Sequence, residues 1–512
     1  MPRISRPLTA VTTPFVLAFA LTLAFELNWT GKVYNLLTAV SLAGILFLFT
    51  RWIYFSMAAS CFFCSWIWIV SELKYRYLGL HLIPQDFALA LKSPDVVWSF
   101  GTGGLAVTLL AIAVLAAILW YDKTTPTTRF FWMAMTGVWL ATLGANFRNV
   151  DFTFLKARAN ALPIFVQGIY RLNLRDPHIG KPSFCCLTAD QTAGRFTKAP
   201  LELPDIIVIL AESLFDPARI PAFRARTQIP ADFSPLHVWT VGGQSWTQEI
   251  SVLHGVPPPK YGSIWPVMNL FAAEKKLDGR LPNMLRAAGY RATTVYPNDA
   301  EIYGARTFHM TLGMERFIDC RAIPECAAVA AWQDRRDAIF FRNAAQILSA
   351  ANTPQFLFIS TVRQHSPHDK SRPANWKSCD GTLSQTQCSI LMDFDDRLKD
   401  SIADYTTFLM VLRARARRSV VVMFGDHIPA DVAYFFRDTS FIEGDRYRTV
   451  FHLWDSRRGD ITRQSLAALG ISKPVDVAFL DALVLSAAGF ESTYLRDKLN
   501  FLRDCGGSFC DK

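Results

Sequence analysis

Side chains able to bind a metal or carry a phosphoryl group stand at the ends of three short apolar runs. Glu212 follows DIIVILA, His365 follows FISTVRQ, and Asp426 with His427 follows VVVMFG. Each taken singly has a plainer explanation: a cap for the next turn, a satisfied core histidine, a turn residue after Gly425. Together they point to chemistry, because the ends of parallel strands converge on one edge of a sheet whereas turns scatter. A fourth element is VGGQSWTQEISVLHG, 241–255, in which Gly242 and Gly243 free the backbone just before Ser245 and Glu249 follows four residues later. A hydroxyl beside a divalent metal loses its proton more easily and becomes a nucleophile near neutral pH. Ser245 is therefore a candidate nucleophile. The alternative is that the glycines make a turn and Ser245 caps the helix behind it, and both can hold, since a helix N-terminus also favours an anion.

The elements that must position these residues can be read from periodicity. DIIVIL (205–210) is a short continuous apolar run, the mark of a buried parallel strand. Similar runs recur at RATTVYP (291–297), QFLFISTV (355–362), SVVVMF (419–424) and TVFHLW (449–454). Between them lie helical patterns such as LPNMLRAAG (281–289) and SIADYTTFLMVLRARAR (401–417). Strands alternating with helices imply an α/β domain with a mostly parallel sheet, beginning near Leu203 and running to residue 512.

The rest of the chain is different in kind. Of its 512 residues 51% are hydrophobic and 19% charged, too apolar for one ordinary soluble domain. The excess lies before about residue 147, where five candidate spans fall at 12–29, 34–50, 52–71, 103–121 and 129–146. Residues 1–147 are thus expected to form a polytopic helical membrane region, and 148–202 a juxtamembrane linker with a short helix around 157–172. Arg3, Arg6, Arg51, Lys123 and Arg129 fall on one side if the N-terminus is cytoplasmic, which puts the later domain outside the cytoplasm. Eight of the ten cysteines lie after residue 147, and three close pairs suit disulfides in an oxidising compartment: Cys320 with Cys326, Cys379 with Cys388, and Cys505 with Cys510. The net charge of +10 forms no stripe interleaved with aromatics, so a nucleic-acid partner is not expected.

These residues carry a resemblance to the lipoteichoic acid synthase and phosphoglycerol transferase branch of the sulfatase-like alkaline phosphatase superfamily. AESLFDP (211–217) resembles the family's opening Glu-Ser-aromatic-aromatic-Asp-Pro, with Leu214 at the first aromatic place. GGQSWTQEISVLHG resembles its nucleophile loop, with Ser245 where that branch has threonine and Ile250 where it often has phenylalanine. YPNDAEIYGARTFHMTLGMERFID (296–319), RQHSPH (363–368, with His368 for the usual tyrosine) and MFGDH (423–427) follow in order. The YLGLHLIPQDF segment of the expected anchor is similar too.

The resemblance implies that Glu212, Ser245, Asp426 and His427 bind one divalent metal ion, manganese, magnesium or zinc. His365 would contact the donor phosphate or the departing oxygen, and Tyr303 and Arg306 would hold the glycerol group. It also implies a bacterial inner-membrane enzyme whose periplasmic domain moves phosphoglycerol from phosphatidylglycerol to a glycan through a phosphoserine. Alternatives within the same chemistry are a phosphoethanolamine transferase and a phosphodiesterase acting on lipid headgroups. A true sulfatase is disfavoured, because Ser245 is followed by Trp246, Thr247 and Gln248 rather than by the C/S-x-P-x-R pattern.

Overall fold

The computed structural model describes residues 29–50, 53–78, 82, 196–258, 280–371, 373, 377–436, 442 and 445–507. The chain divides into two compact units, Met1–Arg76 with Leu80–Arg175, and Tyr77–Gly79 with Asp176–Lys512. In the first, helices α1 (Trp29–Thr50) and α2 (Ile53–Leu78) fall on the second and third expected spans. Among the described residues no helix is long and apolar enough to cross a membrane. The spans at 103–121 and 129–146, most of 12–29, the helix at 157–172, and Cys510 lie outside the described residues.

The second unit is built on one sheet, with nine strands among the described residues: β1 (Asp205–Ala211), β2 (Ser234–His237), β3 (Arg291–Val295), β4 (Arg316–Ile318), β5 (Gln355–Ser360), β6 (Ser419–Gly425), β7 (Arg448–Asp455), β8 (Gly459–Asp460) and β9 (Val475–Asp476). The order is β4-β3-β5-β1-β6-β7-β2-β9, with β8 on β7. The first five run parallel, β7 runs antiparallel to β6, and β2 and β9 are parallel to each other. Every residue of β1, β5 and β6 is buried, which is why these segments read as unbroken apolar runs rather than alternating ones. One face packs Ile207, Ile209, Val421 and Met423 into a cluster with Phe340, Phe341 and Leu398, side chains of helices α5 (Asp337–Ala350) and α6 (Gln385–Arg413). Two further helices, α3 (Trp246–His254) and α4 (Arg280–Ala287), precede α5 in the chain.

Three expectations are corrected in detail. TVFHLW is a strand, but an antiparallel one, since a strand buried on both faces has the same composition in either direction. The helix expected at 401–417 begins sixteen residues earlier, where Ser384 accepts from Gln387 N and Gln387 Oε1 accepts from Ser384 N at 2.9 Å, a reciprocal cap, and it ends at Arg413. β3 and β5 stop short of Pro297 and Val362 respectively. Disulfides join Cys320 to Cys326 and Cys379 to Cys388, as the spacing predicted. Cys505 is disulfide-bonded as well.

Candidate active site

β1 lies between β5 and β6 and in parallel with both, with Leu210 opposite Ser360 and Ala211 opposite Gly425. The three strands therefore end on one edge, and the residues just beyond them are thrown into one place. The turn after β1 is tight: Ser213 takes φ 60, and its N–H donates to Asp426 Oδ1 at 2.8 Å. The same oxygen accepts from His427 N at 2.9 Å. Two backbone donors thus fix one oxygen of Asp426 and leave the other, Oδ2, buried and without a hydrogen-bond donor.

Ser245 arrives from the other direction. Gly242, Gly243 and Gln244 take φ of 74, 153 and 64, three successive positive values that only glycine tolerates easily. Gly242 N donates to Ile428 O at 3.0 Å, tying the loop to the segment after β6. Ser245 then stands at the N-cap of α3, yet its side chain makes no capping bond. Its Oγ donates instead to Glu212 Oε2 at 2.9 Å and lies 3.4 Å from His427 Nε2. That placement decides against the hydroxyl's being a mere helix cap.

The structure thus brings Glu212, Ser245, Asp426 and His427 together. His427 Nε2 is 3.1 Å from Glu212 Oε1 and 3.1 Å from Asp426 Oδ2. Its Nδ1 lies 2.9 Å from the carbonyl of Ile428, which accepts only if Nδ1 carries the proton, so in the neutral ring the Nε2 lone pair faces the carboxylates. Burial opposes charge on His427, but Asp426 and Glu212 outweigh it and lift its pKa to about 9. Burial also pushes Asp426 up, with Glu212 adding to the effect, while Glu212 is drawn down against burial chiefly by His427. Two buried carboxylates contend for one imidazole. A ligand set of carboxylate oxygens, an imidazole nitrogen and a hydroxyl, with ligand atoms of Glu212, Asp426 and His427 all within 4.8 Å of one another, fits a divalent cation such as zinc or manganese.

His365 sits at the rim, its Nε2 3.9 Å from Glu212 Oε1, with the Trp332 ring edge-on at 4.2 Å. Its loop is held by two residues that the sequence did not single out. Arg397 donates to the carbonyls of His365 and Pro367 at 3.1 and 3.2 Å. Asp431 accepts from Ser366 Oγ at 2.7 Å and from His368 N at 2.7 Å, and stands 3.0 Å from His368 Nδ1. Tyr303 packs on Trp246, the residue after Ser245, with ring centroids 5.4 Å apart. Arg306 instead turns to β4, over the Phe317 ring at 5.3 Å and 3.7 Å from Asp319 Oδ2.

Comparison with known proteins agrees with this architecture. Residues 248–456 match the Sulfatase family model, a range that holds His365, Asp426 and His427 but starts after Ser245. A Rhizobium meliloti protein provisionally named a cyclic β-1,2-glucan modification protein is 21% identical over 486 residues, 83% of this chain and 72% of the relative. The integral membrane lipooligosaccharide phosphoethanolamine transferase A of Neisseria meningitidis superposes with TM-score 0.55 at 14% identity, covering 97% of this chain and 96% of that one. Streptococcus pyogenes phosphoglycerol transferase GacH, solved with sn-glycerol-1-phosphate, gives TM-score 0.43 at 16% identity over 62% of this chain and 82% of that one. Residues 248–456 of the α/β unit are thus similar to the Sulfatase family, and the chain shares its fold with the Neisseria meningitidis transferase.

Proposed function

We propose that this chain is a membrane-anchored, metal-dependent phosphotransferase that moves phosphoglycerol from phosphatidylglycerol to a periplasmic or envelope glycan. The observation that carries the reading is Ser245: an N-cap hydroxyl that ignores its own helix and donates to Glu212 at 2.9 Å. In this reading residues 1–147 form the inner-membrane anchor that keeps the lipid donor within reach, 148–202 a linker, and 203–512 the periplasmic domain. The name of the Rhizobium meliloti relative supports a glucan as acceptor.

Glu212, Ser245, Asp426 and His427 would hold the cation, manganese, magnesium or zinc, which when bound lowers the pKa of the serine hydroxyl and offsets charge on the phosphoryl oxygens. Glu212 Oε2 already accepts the Ser245 proton in a hydrogen bond and is the first place for it to go. Ser245 Oγ then bonds to phosphorus, and the bond from phosphorus to the diacylglycerol oxygen breaks. His365, at the rim, gives a proton to that departing oxygen. The resulting phosphoglycerol-serine is attacked by a sugar hydroxyl, whose proton passes to His365 as the Ser245 ester bond breaks and the serine recovers its proton. Tyr303, which packs on Trp246, would contact the glycerol; Arg306 would have to leave Asp319 to do so.

The test is to incubate the purified full chain with radiolabelled phosphatidylglycerol and phosphatidylethanolamine in separate reactions and to map label by peptide digestion. Label on the Ser245 peptide from phosphatidylglycerol, absent in Ser245→Ala, is expected. Label from phosphatidylethanolamine alone would make the enzyme a phosphoethanolamine transferase, and release of free glycerol phosphate with no transfer would make it a phosphodiesterase. A Ser245→Ala protein that transfers at the normal rate ends the serine mechanism.

A further inference from the structure

On the face of β7 that looks toward α6, His452 points its Nε2 between two carboxylates that take no part in the cluster just described. The nitrogen is 3.3 Å from Asp232 Oδ2 and 3.4 Å from Asp460 Oδ1. Asp232 lies in the loop before β2, and Asp460 ends β8. Their side chains are 37% and 32% exposed, so the group opens on solvent, whereas the His452 side chain is only 3% exposed. His452 Nε2 and Asp232 Oδ1 are both buried atoms with no hydrogen-bond partner.

The spacing separates two explanations. An N–H donating to a carboxylate settles at about 2.7–2.9 Å. Atoms on neighbouring corners of a tetrahedral site with bonds of 2.0–2.1 Å stand about 3.3 Å apart. The two observed distances match the second figure. The imidazole is also held as a ligand needs to be. Phe233 stacks on its ring with centroids 4.9 Å apart, Tyr405 meets it edge-on, and the Tyr405 hydroxyl lies 3.0 Å from Nδ1. With Nδ1–H donating to that oxygen, the lone pair of Nε2 faces the carboxylates, the arrangement by which outer partners orient metal-bound histidines. Asp460 Oδ1 accepts in addition from Thr462 N at 2.9 Å, which fixes its rotamer and leaves a lone pair.

We propose that Asp232, His452 and Asp460 form a second divalent-cation site, of zinc type, completed by solvent water. It would be structural: the ion clips the loop before β2 to the β7–β8 hairpin, on the side of the sheet where the antiparallel strands lie. The ligands come from positions 232, 452 and 460, so the ion closes a loop of more than two hundred residues.

The full chain, stripped with chelator and dialysed against zinc sulfate, is analysed for bound zinc per chain in four forms: wild type, Asp426→Asn, Asp460→Asn, and the double variant. Asp460→Asn is expected to bind one zinc fewer than wild type, and the double variant one fewer than Asp426→Asn. Asp232→Asn should repeat the loss from a different segment, which guards against a folding defect peculiar to residue 460. Zinc should raise the unfolding temperature of Asp426→Asn and leave that of the double variant unmoved. If the first cluster is not a metal site, Asp426→Asn retains the wild-type count while Asp460→Asn still loses one ion, so the two readings fail separately. A zinc count unchanged by both Asp460→Asn and Asp232→Asn overturns the proposal. So does a loss of stability in those variants that is the same with and without zinc, the behaviour of a plain histidine–carboxylate contact.

Discussion

Gly425 is the last residue of β6 and the neighbour of Asp426, and nothing about it in isolation suggests importance. A Cβ built there stands 1.8 Å from the carbonyl oxygen of Leu214 and 2.8 Å from its carbonyl carbon. Cβ atoms essentially never approach closer than 3.0 Å, so Gly425→Ala must move one backbone past the other by at least 3.0 − 1.8 = 1.2 Å. Both backbones belong to the site: Leu214 is two residues after Glu212, and Gly425 pairs with Ala211 in the sheet. The displacement thus falls across the gap that Glu212 and Asp426 must close. Metal ligands tolerate about 0.2 Å, and about 1 Å of misplacement can cost on the order of a hundredfold in rate. The strain of overpacking adds roughly 1–3 kcal/mol of lost stability. Gly425→Ala should therefore lower transfer from labelled phosphatidylglycerol at least about a hundredfold and reduce bound metal. Gly381→Ala, which meets nothing within 4 Å, should change neither and serves as control. A Gly425→Ala enzyme that keeps its metal and works within about threefold of wild type, well short of the loss expected for such a shift, would refute the reasoning that the turn after β1 and the end of β6 share one tolerance.

Two further outcomes are expected. His254, a buried residue, is held to about 3, first by burial and then by Arg280 and Lys498, whereas in the unfolded chain it titrates near its ordinary value. The unfolded state alone takes up this proton between those values, so stability is present above about pH 6.5 and is lost as pH falls toward 3, by about 1.4 kcal/mol per pH unit. His254→Gln should flatten that slope in urea unfolding measured from pH 7 to 4, and an unchanged slope would rule the histidine out as its source. Replacing Cys379 and Cys388 together by serine opens a loop of separation 9 and should cost about 2–3 kcal/mol in thermal unfolding under oxidising conditions, and nothing once wild type is reduced as well.

The parts of the site that the sequence disclosed are those that sit at strand ends. Glu212, Asp426 and His427 each close a run of buried residues, and that pattern survives without any knowledge of neighbours. Ser245 was legible because Gly242 and Gly243 announce a backbone that only glycine forms easily, although the choice between capping and chemistry needed the Oγ direction. Arg397 and Asp431 were not legible: one lies mid-helix and the other in a short helix after β6, and each acts only through the loop it grips. The grouping of Asp232, His452 and Asp460 was hidden for the same reason, since a histidine inside a strand and two turn aspartates are ordinary until β7 folds back beside β6. The reversal of β7 was likewise invisible, because burial on both faces erases the alternation that marks a half-exposed antiparallel strand.

The two halves of the candidate active site differ in how firmly they are built. Glu212 and Asp426 extend from central strands joined along seven residue pairs, whereas Ser245 hangs between a loop of three positive-φ residues and a nine-residue helix. In amide hydrogen exchange the first half should open only with the whole domain, while the second can open in local excursions that cost far less. Such an excursion withdraws the hydroxyl and leaves the carboxylate pair assembled. If the proposed mechanism holds, such an excursion would silence the site reversibly while the carboxylates kept their hold on the ion.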